Sequence, residues 1–225
     1  MKLPRCPHPW NVSPAKATAI QRKLASRVLA CGSVRSARLV AGADLALAPD
    51  GTRCVAGVVV WDLATQTVVE ETTAVRPVRF AYVPGLLSFR EGPAVLAALR
   101  KLENVPDVFM FDGQGLAHPR RFGLACHVGV VIDRPSVGCA KSRLIGRHRE
   151  PARHRGATTP LTHDGERIGT VLRSREGVKC VYVSVGHRVD LASAVDLVLR
   201  CCTRYRLPEP TRLADQLVGR ARRQV

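Results

Sequence analysis

Several features that would point to common protein classes are missing from this 225-residue sequence. Its eight cysteines include no CxxC pair, and no His lies at zinc-finger spacing from such a pair, which argues against a zinc module. No run approaches the roughly 20 apolar residues that a membrane span needs, and the first residues contain no apolar segment typical of a signal peptide. We therefore expect a cytoplasmic protein with reduced thiols and no membrane partner.

Acidic residues are scarce relative to basic ones. The chain has 18 Asp and Glu against 35 Lys and Arg, a net charge of +17. Such an excess favours nucleic acid or another polyphosphate as a partner, although a generally basic surface from an Arg-rich genome is the alternative. Apolar residues make up 46% of the chain, enough for the core of one large domain over residues 1–225, which we expect to be a monomer.

The order of the predicted elements indicates a mixed α/β fold. Three strand-like runs over 38–48, 53–62 and 67–76 are joined by short turns, which favours an antiparallel meander. Next come a predicted helix over 89–102, a strand over 107–111, a helix over 117–127 and a strand over 127–133. Further helices are predicted over 14–30, 189–203 and 210–223, a hairpin over 167–174 and 178–185, and a solvated loop over 143–159. This succession predicts a single mixed sheet flanked by helices.

Three acids lie where an apolar run is interrupted or ends. Asp44 lies inside the run Val40–Leu47, Asp112 directly follows the strand over 107–111, and Glu91 lies early in the helix over 89–102. An ionised carboxylate in an apolar strand is costly unless a cation or a donor compensates it.

The three carboxylates are suited to share a metal ion. Neighbouring strands lie about 5 Å apart, so Asp44 and Asp112 can reach one ion, and a helix laid across the sheet can bring Glu91 to the same point. Hard oxygen ligands suit Mg²⁺ or Mn²⁺. The alternatives are that Glu91 favours a helix N-terminus and that Asp112 caps a turn, and spacing alone does not decide between them.

Residues around these acids carry further chemistry. Gly113, directly after Asp112, lets backbone amides approach a ligand closely. His118 can position water or protonate a leaving group, or else cap the edge of the core. Lys141 can neutralise developing phosphate charge, or else be an ordinary surface lysine. Tyr82, on a Pro-Gly turn, can wedge into a base stack, or else pack against its own turn.

Longer motifs resemble those of the endonuclease V family, the deoxyinosine-specific repair nucleases. They are Gly42–Asp44, Tyr82–Glu91, Asp112–Pro119, Gly138–Leu144 and Ser184–Val189, with Arg206–Leu213 also family-like. The resemblance covers nearly the whole chain. It implies a ribonuclease H-like fold and Mg²⁺-dependent hydrolysis, with Mn²⁺ as a substitute. The bond cut would be the second phosphodiester 3′ to deoxyinosine, leaving 3′-hydroxyl and 5′-phosphate ends.

The resemblance also implies roles for individual residues. It assigns metal binding to Asp44, Glu91 and Asp112, and places His118 and Lys141 beside them as catalytic groups. Tyr82 takes the wedge role, with Pro84 stiffening its loop. The pocket for a flipped hypoxanthine would involve Gly85, Leu87, Gly113 and Gly138, with Leu144 nearby. A tight pocket lined by backbone can reject guanine and adenine through clashes or unpaired donors.

The segment 147–155 departs from the pattern expected for that family, because it is unusually rich in Arg and His. It either extends the phosphate-binding surface or shifts the preference between DNA and RNA. An inosine-specific endoribonuclease therefore remains an alternative. Two others are a non-catalytic nucleic-acid binder on the same fold, which would not need three acids facing phosphate, and a related nuclease without base choice, which would not need the Tyr82 loop.

Overall fold

A computed structural model describes all 225 residues and contains one eight-stranded sheet with five α-helices. The strands are β1 (Leu39–Leu47), β2 (Arg53–Asp62), β3 (Thr67–Pro77), β4 (Val108–Phe111), β5 (Ser136–Ala140), β6 (Thr158–His163), β7 (Glu166–Leu172) and β8 (Val181–His187). The helices are α1 (Pro14–Ala25), α2 (Leu87–Leu99), α3 (Leu124–Ile132), α4 (Leu191–Cys201) and α5 (Glu209–Ala221). A short 3-10 turn, Arg222–Gln224, follows α5.

The sheet is mixed, with strand order β3-β2-β1-β4-β5-β8-β7-β6. The predicted antiparallel meander of β1, β2 and β3 is confirmed. β4 pairs in parallel with both β1 and β5, and the remaining strand pairs are antiparallel. Ala43 on β1 lies opposite Phe111 on β4. The residue that follows each of them is an acid, so Asp44 and Asp112 come side by side.

Alternation along the central strands divides the core into two layers. Val108 and Met110 of β4 pack with Leu197 of α4, whereas Phe109 and Phe111 pack with α2 and α3 on the opposite face. This follows from the two-residue period of a strand, whose successive side chains point to opposite faces. The sheet is thus covered on both sides, and α5 lies against β1 and β2 on the α4 side.

The predicted strand over 127–133 is wrong, because these residues belong largely to helix α3. Every residue of α3 is buried, so the segment has no polar face, and an apolar run of this length does not reveal its period. The predicted helix over 117–127 is also wrong over 117–123, which form turns ahead of α3. Strands β5 and β6 were not predicted.

The basic segment 147–155 is a loop, as predicted, but the protein holds it in place. The buried guanidinium of Arg173 donates to the Glu150 carboxylate and to the backbone carbonyls of Pro151 and Ala152. Arg147 forms a backbone bridge to Thr162 of β6. The loop is therefore a fixed ledge beside β6 and β7 that exposes its other arginines.

All eight cysteines are free thiols, as expected from their spacing, and six of them are buried. None of the helices combines the length and the apolar character that crossing a bilayer requires.

Candidate active site

The three predicted acids lie close enough to alter one another's ionisation. Burial, followed by the charge of Asp112, raises the pKa of Asp44 to about 7. Burial, followed by the charge of Asp44, raises the pKa of Glu91 to about 8. The structure therefore brings together carboxylates from β1, from α2 and from the end of β4. Negative charge accumulates here beyond what the protein's own cations balance.

Lys141 adjoins this set from the end of β5. Its Nζ lies 2.5 Å from Oδ2 of Asp112 and 3.6 Å from Oδ1 of Asp215. Lys141 is thus paired with the acids of the cluster through its ammonium group, and it is not an isolated surface lysine.

Asp215 is a fourth acid that the sequence reasoning did not single out. It lies on α5, which reaches the site because Gly42 of β1 has no Cβ, and a Cβ there would overlap the backbone of Pro210. Asp215 also lies close enough to the Asp44 carboxyl to contribute to the raised pKa of Asp44. An exposed Asp on an amphipathic helix interrupts no pattern, so the sequence carried no signal for it.

The residues present fit a divalent cation. The acids supply hard oxygen donors of the kind that Mg²⁺ and Mn²⁺ prefer. The raised pKa values of Asp44 and Glu91 are those expected of ligands that lack their cation. As the side chains are placed, no group of three His, Cys, Asp or Glu residues could hold an ion, so binding would require side chains of the cluster to move.

A cavity of about 360 Å³ adjoins the acids, and Asp112 lies in its wall. The predicted pocket residues Tyr82, Pro84, Gly85, Leu87, Gly113 and Leu144 all line it. Gly138 lies beneath the wall, where an added Cβ would come within 2.6 Å of the Gly113 carbonyl and the Gly115 amide. Gly138 therefore allows close packing under the 113–115 turn. The sequence reasoning missed two glutamines of the lining, Gln21 and Gln114.

The carbonyl of Gly85 is held by three donors. Nε2 of Gln21 and Nε2 of His118 each lie 3.0 Å from it, and Nη2 of Arg120 lies 2.6 Å away. Gly85 has φ +77°, a conformation that glycine adopts without strain. This clamp fixes the end of the Tyr82–Gly85 loop and the cavity wall it forms.

His118 has no free ring nitrogen. Its Nε2 donates to the Gly85 carbonyl, and its Nδ1 accepts from the Arg120 amide at 3.2 Å. Burial and, less strongly, the Arg120 charge lower the pKa of His118 to about 4. The ring is therefore neutral near pH 7. This geometry suits a residue that holds the loop better than one that delivers a proton.

Tyr82 stands clear of the core, with 65% of its surface exposed. The guanidinium of Arg90 lies over the ring, 6.0 Å from its centroid. Across the cavity mouth, Leu144 is also exposed. An exposed aromatic at the rim of a cavity differs from the packed-turn alternative, in which the ring would be buried.

A chain of hydrogen bonds connects the N-terminal segment to the wall of the cavity. Nδ1 of His8 donates to the Pro9 carbonyl, which leaves its Nε2 to accept from Nε2 of His127 at 2.7 Å. The Nδ1 of His127 then accepts from the hydroxyl of Ser88, a cavity residue, at 2.8 Å. Both imidazoles are neutral, because burial lowers the pKa of His8 and of His127.

Comparisons with known proteins identify relatives of this chain. The family model for Endonuclease V matches residues 22–216. An Endonuclease V from Trichormus variabilis is 50% identical over 95% of this chain and 97% of its own length. The crystal structure of an Endonuclease V from Streptomyces avermitilis superposes with a TM-score of 0.92 at 44% identity, covering 99% of both chains.

A more distant relative shares the fold. The Ciona intestinalis Endonuclease V, 24% identical, superposes with a TM-score of 0.82 over 93% of this chain and 98% of its own. It was crystallised with a 24mer DNA containing an inosine followed by a ribo-adenosine. The family model, the relatives that match over nearly the whole chain and the shared sheet show that the chain belongs to the Endonuclease V family, the deoxyinosine-specific DNA repair nucleases.

Proposed function

We propose that this nuclease binds duplex DNA at deoxyinosine, takes the hypoxanthine base into the cavity, and hydrolyses the second phosphodiester bond 3′ to it with Mg²⁺. The products are a 3′-hydroxyl and a 5′-phosphate. One observation carries the proposal: Asp112 belongs both to the acid cluster and to the wall of the cavity. A base bound in the cavity therefore places its own strand beside the acids.

The acids have a common role in this proposal. Asp44, Glu91 and Asp112, with Asp215 added from the structure, would hold Mg²⁺. When bound, the ion would supply Lewis-acid activation of the phosphate and of the attacking water. Lys141, already paired with Asp112 and near Asp215, is placed to balance the charge that develops on the phosphate.

The loop and the cavity select the base. Extruding a base costs a few kcal/mol, and less when it is mispaired, which favours inosine in weak pairs. Tyr82 would fill the gap left in the stack. The wall contains Gly85 and Gly113, where the backbone can approach a flat base closely. An exocyclic amine on the base would clash with this wall or lack a hydrogen-bond partner, and either effect lowers affinity. His118 keeps the loop in position through the Gly85 carbonyl.

The basic ledge at 147–155 would bind flanking phosphates. Its side chains at Arg147, Arg149 and Arg153 are exposed and form no ion pair, so they are available to release counterions from a nucleic acid. This role does not require the ledge to read a base.

Cleavage mapping tests the proposal. Matched duplexes with and without one inosine are incubated with Mg²⁺, with Mn²⁺ and with EDTA, and the ends are mapped on a sequencing gel. With Mg²⁺ or with Mn²⁺, we expect a single cut at the second phosphodiester bond 3′ to inosine. With EDTA, we expect no cut. A matched RNA duplex measures the endoribonuclease alternative. Equal cutting of plain and inosine duplexes would show a nuclease without base choice.

A further inference from the structure

A buried glutamine in the cavity wall has an amide oxygen without a partner. Gln114 is 8% exposed, and its Nε2 donates to the Ser142 carbonyl at 2.9 Å. Its Oε1 is buried and makes no hydrogen bond. Because a backbone carbonyl can only accept, the nitrogen end of the amide must face Ser142. The orientation of Oε1 is therefore determined by the hydrogen-bond network.

An orphaned acceptor of this kind is uncommon and costs stability. Besides it, only Nε1 of Trp61 is a buried side-chain polar atom without a partner. Two other buried polar side chains of the wall are already paired. Gln21 binds Gly85 and Arg120, and Ser88 donates to His127. Gln114 is thus the buried side chain of the cavity wall that retains an unpaired hydrogen-bond acceptor.

We infer that Oε1 of Gln114 accepts a hydrogen bond from N1–H of the flipped hypoxanthine, which makes Gln114 a specificity-determining residue. The inference rests on the proposed function. In the nucleoside, N1–H is the only N–H that hypoxanthine carries. Adenine has a lone pair at N1, so two acceptors would face each other, and such a mismatch is strongly rejected in a water-free pocket. Guanine shares N1–H, and its extra 2-amino group must be excluded by the close walls.

The test pairs a variant with a base analogue. Gln114→Met keeps the length of the side chain and removes the acceptor. Duplexes carry either deoxyinosine or deoxynebularine, a purine nucleoside that has neither N1–H nor the 6-oxo group. Affinities are measured by fluorescence anisotropy in EDTA, and single-turnover cleavage is measured in Mg²⁺.

We expect the variant to lose affinity for the inosine duplex by roughly tenfold, the usual cost of one buried hydrogen bond, and to bind the nebularine duplex like wild type. The substitution also removes the hydrogen bond that Nε2 donates to the Ser142 carbonyl, and the nebularine duplex controls for any effect of that loss on the cavity wall. Gln224→Met, at an exposed position near the C-terminus, should change nothing.

An equal loss of affinity for both duplexes would show that Gln114 only supports the wall. No change in any measurement with Gln114→Met would likewise overturn the inference. Neither of these results affects the proposed function, which fails only if the wild-type protein does not distinguish inosine duplex from plain duplex.

Discussion

Lys141 pairs with Asp112 across the ends of neighbouring strands, with Nζ 2.5 Å from Oδ2. The ammonium group therefore balances Asp112 directly, and it lies nearer to Asp112 than to Asp215. Asp44 and Glu91 have no salt bridge to any basic side chain, and they carry the raised pKa values. Burial and mutual repulsion therefore favour the protonated forms of these two carboxyl groups.

The first prediction follows from those protons. The pKa values of Asp44 and Glu91 are about 7 and 8 in the folded protein and near 4 in an unfolded chain. Between these values the folded state binds more protons than the unfolded state, so stability falls as pH rises. In EDTA, the thermal unfolding temperature should decline from about pH 5 to about pH 8.

The control for this pH dependence is Glu91→Gln, which should flatten the decline. Adding Mg²⁺ to the wild-type protein should restore stability most strongly at the high-pH end, because the metal binds deprotonated carboxylates. A wild-type curve that tracks the Glu91→Gln curve at every pH would contradict the assignment of these protons.

The second prediction concerns the fourth acid. Asp215→Asn should reduce single-turnover cleavage by at least about 100-fold, because a metal site that loses a carboxylate loses several kcal/mol of charge stabilisation. Asp44→Asn and Asp112→Asn should behave similarly, and binding of inosine DNA in EDTA should survive in all three. Asp196→Asn, an exposed acid on α4 paired with Arg200, is the matched control. Near wild-type cleavage by Asp215→Asn would remove it from the site.

The third prediction separates the wedge from the pocket. Tyr82→Ala should weaken binding of inosine duplex by about 1–3 kcal/mol, the usual value of one base–aromatic stack. The loss should be smaller on single-stranded inosine DNA, where no duplex stack must be opened. Tyr205→Ala provides the control, since Tyr205 is also exposed under an arginine. Equal losses on both substrates would place Tyr82 against the bound base.

The fourth prediction distinguishes two roles for His118. His118→Gln keeps a donor for the Gly85 carbonyl, so cleavage should stay within about tenfold of wild type. His118→Ala should lose more, because the clamp loses one donor. Removing a general acid typically costs about 10²- to 10⁴-fold. Rates are compared under single-turnover conditions at several pH values. A loss of that size with His118→Gln, together with loss of the alkaline limb in the pH profile, would restore the role of His118 as a general acid.

The fifth prediction concerns the basic ledge. The double variant Arg149→Gln/Arg153→Gln removes two exposed cations, and each lost phosphate contact should lower the slope of log affinity against log salt by about 0.9. The flattening should be the same for inosine and plain duplexes. A change confined to the inosine duplex would mean that the ledge contacts the base pocket.

The strands that bear Asp44 and Asp112 were predictable because each acid interrupts an apolar run of strand length. Their pairing follows from the mixed topology, and the register of Ala43 with Phe111 confirms their adjacency. The roles of these residues and of Glu91, Lys141 and Tyr82 stay predictions, because the structure gives their positions and the proposed experiments measure their effect on activity.

Three features escaped prediction for separate physical reasons. Helix α3 is buried on all sides, so its sequence shows no amphipathic period. Strand β5 is only five residues long and includes Gly138, which weakens a strand signal. Asp215 lies on an ordinary amphipathic helix, and only the close approach of α5 to Gly42 brings it to the other acids.

The position of α5 makes the acid cluster depend on contact between distant parts of the sequence. Asp44 is on the first strand of the chain, whereas Asp215 is on the last α-helix. Chains are folded as they are synthesised, beginning from the N-terminal end. A chain that has formed the sheet and the cavity but has not yet docked α5 against Gly42 therefore lacks one acid of the cluster.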